Sequence, residues 1–270
     1  MRLALAQLEP APGDVEANER AAIEAIATAA ANGADLVALP ELWDVGYFAF
    51  DDYATAAQGL DGPRLARVST AAAANGVAVL AGSVVEDLAA TAAESGVETP
   101  ADEGYANASV LFDAAGERRL VYRKHHLFGH ESAEADLLVP GETLETTDLC
   151  GFSVAATTCY DLRFPELYRD LLDLGATLVL VPSAWPYPRV EHWRTLGRAR
   201  AIENGWYLGA VNGVGAQGDA RLLGRSTVYD PWGRPIATTD DAPDVVYATA
   251  EPSRVKAVRE SFPAIEDRET

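Results

Sequence analysis

A four-layer α/β sandwich, α-β-β-α, built from two similar halves is the fold class this sequence predicts, and three observations predict it. Short apolar runs alternate with helical stretches along the chain, the pattern of interleaved rather than segregated elements. The segment Gly33-Ala-Asp-Leu-Val-Ala-Leu-Pro40-Glu-Leu-Trp43 recurs as Gly175-Ala-Thr-Leu-Val-Leu-Val-Pro182-Ser-Ala-Trp185. After each copy a helix ends on Asn-Gly, at Asn75-Gly76 and at Asn204-Gly205. A strand and a hairpin follow, Val110 to Asp113 turning at Gly116 and Val228 to Asp230 turning at Gly233. Many strand-to-loop transitions share some of these letters, but chance does not supply the same ladder of Gly, Pro and Trp twice. Two sheets of similar topology packed face to face, in one domain over residues 1–270, are expected.

Leu3 to Leu8 reads as a buried strand, and Val15 to Ala31 as an alanine-rich helix ended by Asn32-Gly33. Asp35 to Leu39 is a strand that stops at Pro40. This puts Glu41 at a carboxyl end, where open α/β sheets hold their ligands. Pro63 to Ala74 is a second helix, Val77 to Val85 a further strand, and Asp87 to Gly104 an acidic surface excursion. Phe152 to about Thr158 is a strand with Cys159 at its end, and Pro165 suits the first turn of the helix from Phe164 to Leu174. The leucines of that helix, Leu167, Leu171, Leu172 and Leu174, suffice for a core face or for an interface, and the sequence leaves both open.

With 49% hydrophobic and 23% charged residues, a chain of 270 residues can bury a substantial core. Its 41 acidic against 21 basic side chains leave a net charge of −20, a field that repels nucleic acid and anionic membrane surfaces. Lys124 and Lys256 are the only lysines; every other basic side chain is arginine. An acidic, lysine-poor surface suits a salt-rich cytosol, where its self-repulsion is screened. The opening run to Pro10 is too short for a signal peptide and is interrupted by Gln7 and Glu9. Even Ala21 to Pro40 contains Glu24, Asn32 and Asp35, so no membrane span is expected and a cytoplasmic location is. Two cysteines make no disulfide framework.

Cys159 stands where chemistry is expected, since a thiol at a strand-to-helix turn faces a pocket and lies near unpaired backbone N–H donors. Cys150, just before a strand and without polar neighbours, reads instead as a small buried hydrophobe. An isolated thiol has a pKa of about 8.5, so an attacking cysteine needs a base beside it. His125, His126, His130 and His192 offer a Cys-His dyad, and Glu41 offers a carboxylate. Three histidines in Lys124-His-His-Leu-Phe-Gly-His130 invite a metal, but no HExxH spacing is present and neither a metal nor an organic cofactor is expected. Lys124 is conspicuous as a lysine in an arginine-rich chain, a compact ammonium suited to an oxyanion or to a solvated strand end.

Together these segments resemble the nitrilase superfamily of carbon-nitrogen hydrolases over nearly the whole chain. The resemblance rests on Leu39-Pro40-Glu41-Leu-Trp43 with Gly46-Tyr47, on Tyr122-Arg-Lys124-His-His-Leu-Phe128 and on Cys159-Tyr-Asp-Leu-Arg-Phe-Pro-Glu166. Pro182-Ser-Ala-Trp185-Pro and Arg198-Ala-Arg200-Ala-Ile-Glu203-Asn204 extend it. It implies the same sandwich and a Glu-Lys-Cys triad. Cys159 is the nucleophile, Glu41 the proton carrier, and Lys124 with the Tyr160 N–H the oxyanion donors. It also implies a second glutamate, for which Glu134, seven residues before Gly141, fits best and Glu131 competes. Tyr47, Tyr160, Ala184 and Trp185 are expected around the substrate. The branch it resembles contains ω-amidases and deaminated-glutathione amidases. It therefore implies a small-molecule amide bearing a carboxylate. Arg163 or Arg189 near the pocket offers a partner for that carboxylate, although arginines at such positions serve more often as surface or structural ion pairs. Relatives commonly form homodimers or higher oligomers through the helix after the nucleophile and through the chain end, here Ser253 to Phe262.

Three other readings share these residues. The same triad serves nitrilases and N-carbamoyl amidohydrolases. A non-catalytic binder of the same fold is disfavoured by the desolvation cost of burying a carboxylate, an ammonium and a thiol together. Acyl transfer to an amine is disfavoured because such relatives carry membrane segments.

Overall fold

The computed structural model describes residues 1–130 and 132–268. In chain order the first half carries β1 (Arg2–Gln7), β2 (Leu36–Ala38), β3 (Ala78–Asp87), β4 (Tyr105–Phe112) and β5 (Arg118–Arg123). The second carries β6 (Thr147–Leu149), β7 (Phe152–Ala156), β8 (Leu178–Ser183), β9 (Tyr207–Asn212), β10 (Val214–Gln217), β11 (Ala220–Leu223), β12 (Thr227–Tyr229), β13 (Pro235–Thr238) and β14 (Asp244–Thr249). The longer helices are α1 (Val15–Ala31), α3 (Pro63–Asn75), α6 (Pro165–Asp173), α7 (Val190–Asn204) and α8 (Pro252–Ser261). Short ones are α2 (Tyr53–Ala56), α4 (Leu88–Glu94) and α5 (Glu134–Leu137).

The two large sheets repeat one topology. One has the order β14-β1-β2-β3-β4-β5 and the other β6-β7-β8-β9-β12-β13, written here from the matching edge. In each, three parallel strands are followed by two antiparallel ones, with an antiparallel strand added at the first edge. The hairpins match as well: Asp113 and Asp230 each accept two backbone N–H bonds across their turns. The duplication read from the Gly-Pro-Trp ladder is therefore a duplication of structure.

Period-two alternation divides the strands between layers. Leu3 and Leu5 of β1 face Leu178 and Leu180 of β8 in the apolar layer between the sheets. Ala4 and Ala6 face outward onto Ala22, Ala25 and Ala29 of α1. These small side chains let α1 lie close to the sheet, which accounts for the alanine-rich sequence. On the opposite surface α6 and α7 bury Leu167, Leu171, Leu172, Trp193 and Ala201 against the second sheet. All three leucines of α6 therefore serve the core, and Leu174, just past its end, stays exposed.

Two expectations need correction. Asp87 to Gly104 is not simply a surface excursion: β3 runs on to Asp87, whose carboxylate caps α4, and Leu88 and Thr91 are fully buried. Amphipathic pairing there was hidden by a composition of Ala, Thr and Glu that reads as polar loop. Cys150 is exposed, not buried, because it sits in the β6–β7 turn with φ +49°, a conformation that turns its side chain away from the sheet interior.

Candidate active site

Glu41, Lys124 and Cys159 each lie just beyond the end of a strand, and special backbone features bring them together. Past β2, the Leu39-Pro40 carbonyls press on Gly82 of β3, where any Cβ would collide with both oxygens. Leu42 then adopts φ +44° with its N–H on Ser83 Oγ at 2.9 Å, which turns the Glu41 carboxylate inward. Lys124 follows β5. Its N–H donates to the Asn107 carbonyl, and its own carbonyl accepts from Gly141, another position where a Cβ would strike backbone, here the Arg123 carbonyl. Cys159 opens a 3-10 helix, Cys159–Arg163, at φ +48°. Left-handed backbone at two non-glycine residues beside one cluster is strain of the kind found at functional sites.

Asp161 locks this turn to the Lys124 segment. Its carboxylate accepts from Thr158 N–H at 2.9 Å, from the Tyr122 hydroxyl, and from His126 through both N–H (3.0 Å) and Nδ1 (2.8 Å). His126 is therefore engaged with Asp161, and it stacks on Phe164. His125 stacks on Tyr122, while His130 and His192 are exposed. The group set against the Cys159 thiol is the Glu41 carboxylate, not a histidine.

The side chains of Glu41, Lys124 and Glu134 are wholly removed from solvent. Lys124 Nζ lies 2.8 Å from Glu41 Oε1 and 2.7 and 2.9 Å from the two oxygens of Glu134. Glu134 also accepts from the Tyr47 hydroxyl (3.1 Å) and the Phe128 N–H (2.7 Å), and Glu41 Oε2 accepts from the Ala184 N–H (2.8 Å). Two carboxylates thus share one ammonium. Burial raises the pKa of Glu41, and the Lys124 charge only partly offsets it. Burial by itself lowers Lys124, but Glu134 and Glu41 together outweigh it and hold the ammonium well above its ordinary value. Burial, reinforced by Glu41, pushes the Cys159 thiol well above its usual range. The resting sulfur is therefore a thiol, and the Glu41 carboxylate, its own pKa raised, lies against it.

The pocket above Cys159 is lined by Tyr47, Phe48, Lys124, Phe128, Tyr160, Arg163, Ala184, Trp185, Pro186 and Arg189, and its free volume is about 40 Å³. Tyr47 offers its ring to this space, with Lys124 Nζ 5.4 Å from the ring centre, while its hydroxyl is committed to Glu134. Ala184 lines the wall with its N–H committed to Glu41. Arg163 lies over the Tyr160 and Trp185 rings and Arg189 over Phe128. A larger cleft, about 460 Å³ along the β5 edge among Arg118, Arg119 and Glu145, contains neither cysteine nor histidine. Among the described residues no three His, Cys, Asp or Glu side chains converge as a metal-ligand set. Glu131 lies outside the described residues; Glu134 occupies the place beside Lys124. The residue that sequence reasoning passed over is Asn107 of β4, whose amide touches both carboxylates. The signal was present, since asparagine is disfavoured within an apolar strand.

The model of the carbon-nitrogen hydrolase family matches residues 2–260. A 2-oxoglutaramate amidase of Paenarthrobacter nicotinovorans is 36% identical over 239 residues, covering 87% of this chain and 78% of the relative. The crystal structure of Saccharomyces cerevisiae Nit3, of branch 10 of the nitrilase superfamily, superposes with a TM-score of 0.85 at 27% identity over 97% of this chain and 94% of that one. An amidase from Nesterenkonia sp. AN1, with acrylamide added to its active-site cysteine, superposes with a TM-score of 0.78 at 27% identity over 98% of this chain and 99% of that one.

Proposed function

This chain belongs to the carbon-nitrogen hydrolase family, and from that premise we propose that it hydrolyses the terminal amide of a short substrate that also carries a carboxylate. It is an amidase, acting on an amide C–N bond outside peptides. In the proposed mechanism Glu41 removes the Cys159 thiol proton as the sulfur attacks the amide carbon. The resulting oxyanion is held by the Lys124 ammonium and the Tyr160 N–H, whose place in the first turn of a 3-10 helix leaves it without a helical acceptor. The tetrahedral adduct collapses as Glu41 returns the proton to the leaving nitrogen, which departs as ammonia and leaves a thioester. Water then gives its proton to Glu41, attacks the thioester carbon and releases the carboxylic acid and the thiol. The raised pKa of Glu41 suits a group that must both take and return a proton. Glu134 orients Lys124.

The observation that carries the substrate reading is the pair Arg163 and Arg189 on the rim of the pocket. In a chain with 41 acidic and 21 basic side chains, both are half-buried and neither is ion-paired among the described residues. A substrate carboxylate completes them, and the small free volume supports a short chain between that carboxylate and the amide. The Paenarthrobacter relative, a 2-oxoglutaramate amidase, points the same way.

Ammonia release in high-salt buffer, measured across ω-amides, uncharged aliphatic amides, N-carbamoyl amino acids and nitriles, tests this. We expect kcat/KM about tenfold to a hundredfold higher for an ω-amide with a free carboxylate than for an uncharged amide of equal length, the worth of a charge-assisted contact. Combining Arg163→Leu with Arg189→Leu should erase that margin. Equal rates on the two amides, or a preference for nitriles, would sink the proposal.

The proposal extends to a cytoplasmic homodimer whose acidic surface is adapted to salt. Among the described residues no helix is long and apolar enough to cross a membrane. Leu174, Ile202, Trp232 and Phe262 are exposed near α6, α7 and the chain end, and Trp232 lies against Phe262. Twenty net negative charges per subunit oppose contact until salt screens them. Association should therefore strengthen with ionic strength in a light-scattering series; a fully active monomer at every salt concentration contradicts it.

A further inference from the structure

Four polar atoms close a ring at the centre of the site. Lys124 Nζ lies 2.8 Å from Glu41 Oε1 and 2.7 Å from Glu134 Oε1. Asn107 Nδ2 lies 2.9 and 3.2 Å from the same two oxygens. One NH₂ fork thus duplicates, from the opposite side, the contacts that the ammonium makes. The orientation of the amide follows from its surroundings, because two carboxylate oxygens accept and only the NH₂ end donates. Its other end, Oδ1, is buried with no hydrogen-bond partner among the described residues. An asparagine kept for packing alone would be cheaper as leucine at this fully buried position, since an unmet acceptor carries a desolvation cost. The residue is therefore held for its donor end. Its backbone serves the same place, because its carbonyl accepts the Lys124 N–H at 2.9 Å.

We propose that Asn107 is a positioning residue for the reaction, a fixed donor without charge that holds the Glu41 and Glu134 carboxylates together, keeps Glu41 ionised in the resting site so that it can take the Cys159 proton, and keeps it aligned afterwards while Lys124 turns to the oxyanion. The proposal rests on the Glu41, Lys124 and Cys159 roles given above. Three carboxylate oxygens lie within 2.9 Å of the ammonium in the resting site. Stabilising an oxyanion draws on at least one of these contacts, at the stage when Glu41 has already taken the thiol proton and its tie to the ammonium weakens. An amide cannot titrate, so it maintains the link through each proton transfer. Glu41 is faced by Lys124 from the end of β5, Glu134 from α5, Cys159 from its 3-10 turn and Tyr47 from the loop beyond β2. Asn107 is the donor that β4 adds to this set.

The test is the pH profile of kcat/KM for Asn107→Leu and Asn107→Asp, with thermal melts as the control on folding. A hydrogen bond to the ionised form lowers a carboxyl pKa, so removing it raises the pKa of Glu41. The acid limb should move up by about one pH unit in Asn107→Leu. It should move further in Asn107→Asp, which sets a third carboxylate beside two. Below the acid limb the Leu variant should lose about tenfold, the factor that a one-unit shift sets, with the loss recovered as pH rises. A purely structural lesion lowers the rate by the same factor at every pH. An unmoved acid limb in both folded variants overturns the proposal, and so does failure of both to fold, which assigns Asn107 to stability. If Cys159→Ala and Glu41→Gln keep ammonia release, the underlying mechanism fails; if those two are inactive and only the Asn107 profiles stay wild-type, this inference alone fails.

Discussion

Cys159→Ala is expected to abolish ammonia release, a loss of about a million-fold on the scale seen when a covalent nucleophile is removed, while Cys150→Ala keeps most of the activity. The contrast follows from environment. Cys159 is buried against the Glu41 carboxylate at a strained turn, with its thiol pushed up, and in the proposed mechanism Glu41 takes the proton. Cys150 is exposed in a turn whose electrostatic neighbours are Asp35 and the chain's amino terminus. Alanine at 159 removes one sulfur from a packed wall, so the variant should still fold and bind. Intact-mass spectrometry with a slow substrate gives the positive measurement. An acyl adduct on Cys159 is expected, and an adduct on Cys150, or turnover surviving in Cys159→Ala, would falsify the assignment.

The next largest effect is expected at Lys124. Lys124→Arg should lose about a hundredfold to a thousandfold in turnover, the usual cost of one oxyanion donor. The ammonium is a compact, fully buried head with acceptors on Glu41 and both oxygens of Glu134. A guanidinium keeps the charge, but its planar fork is larger and offers donors in one plane, so it cannot meet those oxygens and an oxyanion from the same position. Lys124→Ala is the less informative variant. It leaves two carboxylates facing each other without a cation, and breaking a buried pair costs about 3–5 kcal/mol, so lost activity there mixes chemistry with unfolding. The decisive comparison is turnover against melting temperature in the arginine variant. Near-wild-type turnover would reduce Lys124 to an ion-pair partner of structural use.

The sequence was most legible where information is local. Alternation and the Asn-Gly helix ends give the layers, and the repeated Pro-to-Trp ladder gives two like halves because each copy lies at the end of the middle parallel strand of its sheet, β2 or β8. Strand ends also single out Glu41 and Cys159: Pro40 before the first and the end of β7 before the second mark where side chains leave a sheet for a pocket. Local pattern also misled. Cys150 looks apolar in its neighbourhood, and only the left-handed turn between β6 and β7 exposes it. Asp87 to Gly104 looks like loop, and only its packing against β3, with Thr91 on Glu86, makes part of it helix and core.

By itself the sequence determined the fold class, the family and the identities of Glu41, Lys124 and Cys159 as residues at strand ends. The tertiary structure alone decided which groups meet. Glu41 is 83 residues from Lys124, 66 from Asn107 and 143 from Ala184, and all three contacts are hydrogen bonds of 2.8–2.9 Å. It also sent three leucines of α6 into the core and left Leu174 outside. The physical reason is one of range. Periodicity and turn chemistry act over a few residues and fix which face of an element is apolar. A hydrogen bond of fixed length between distant residues depends on the stacking and register of two sheets, which no local pattern encodes.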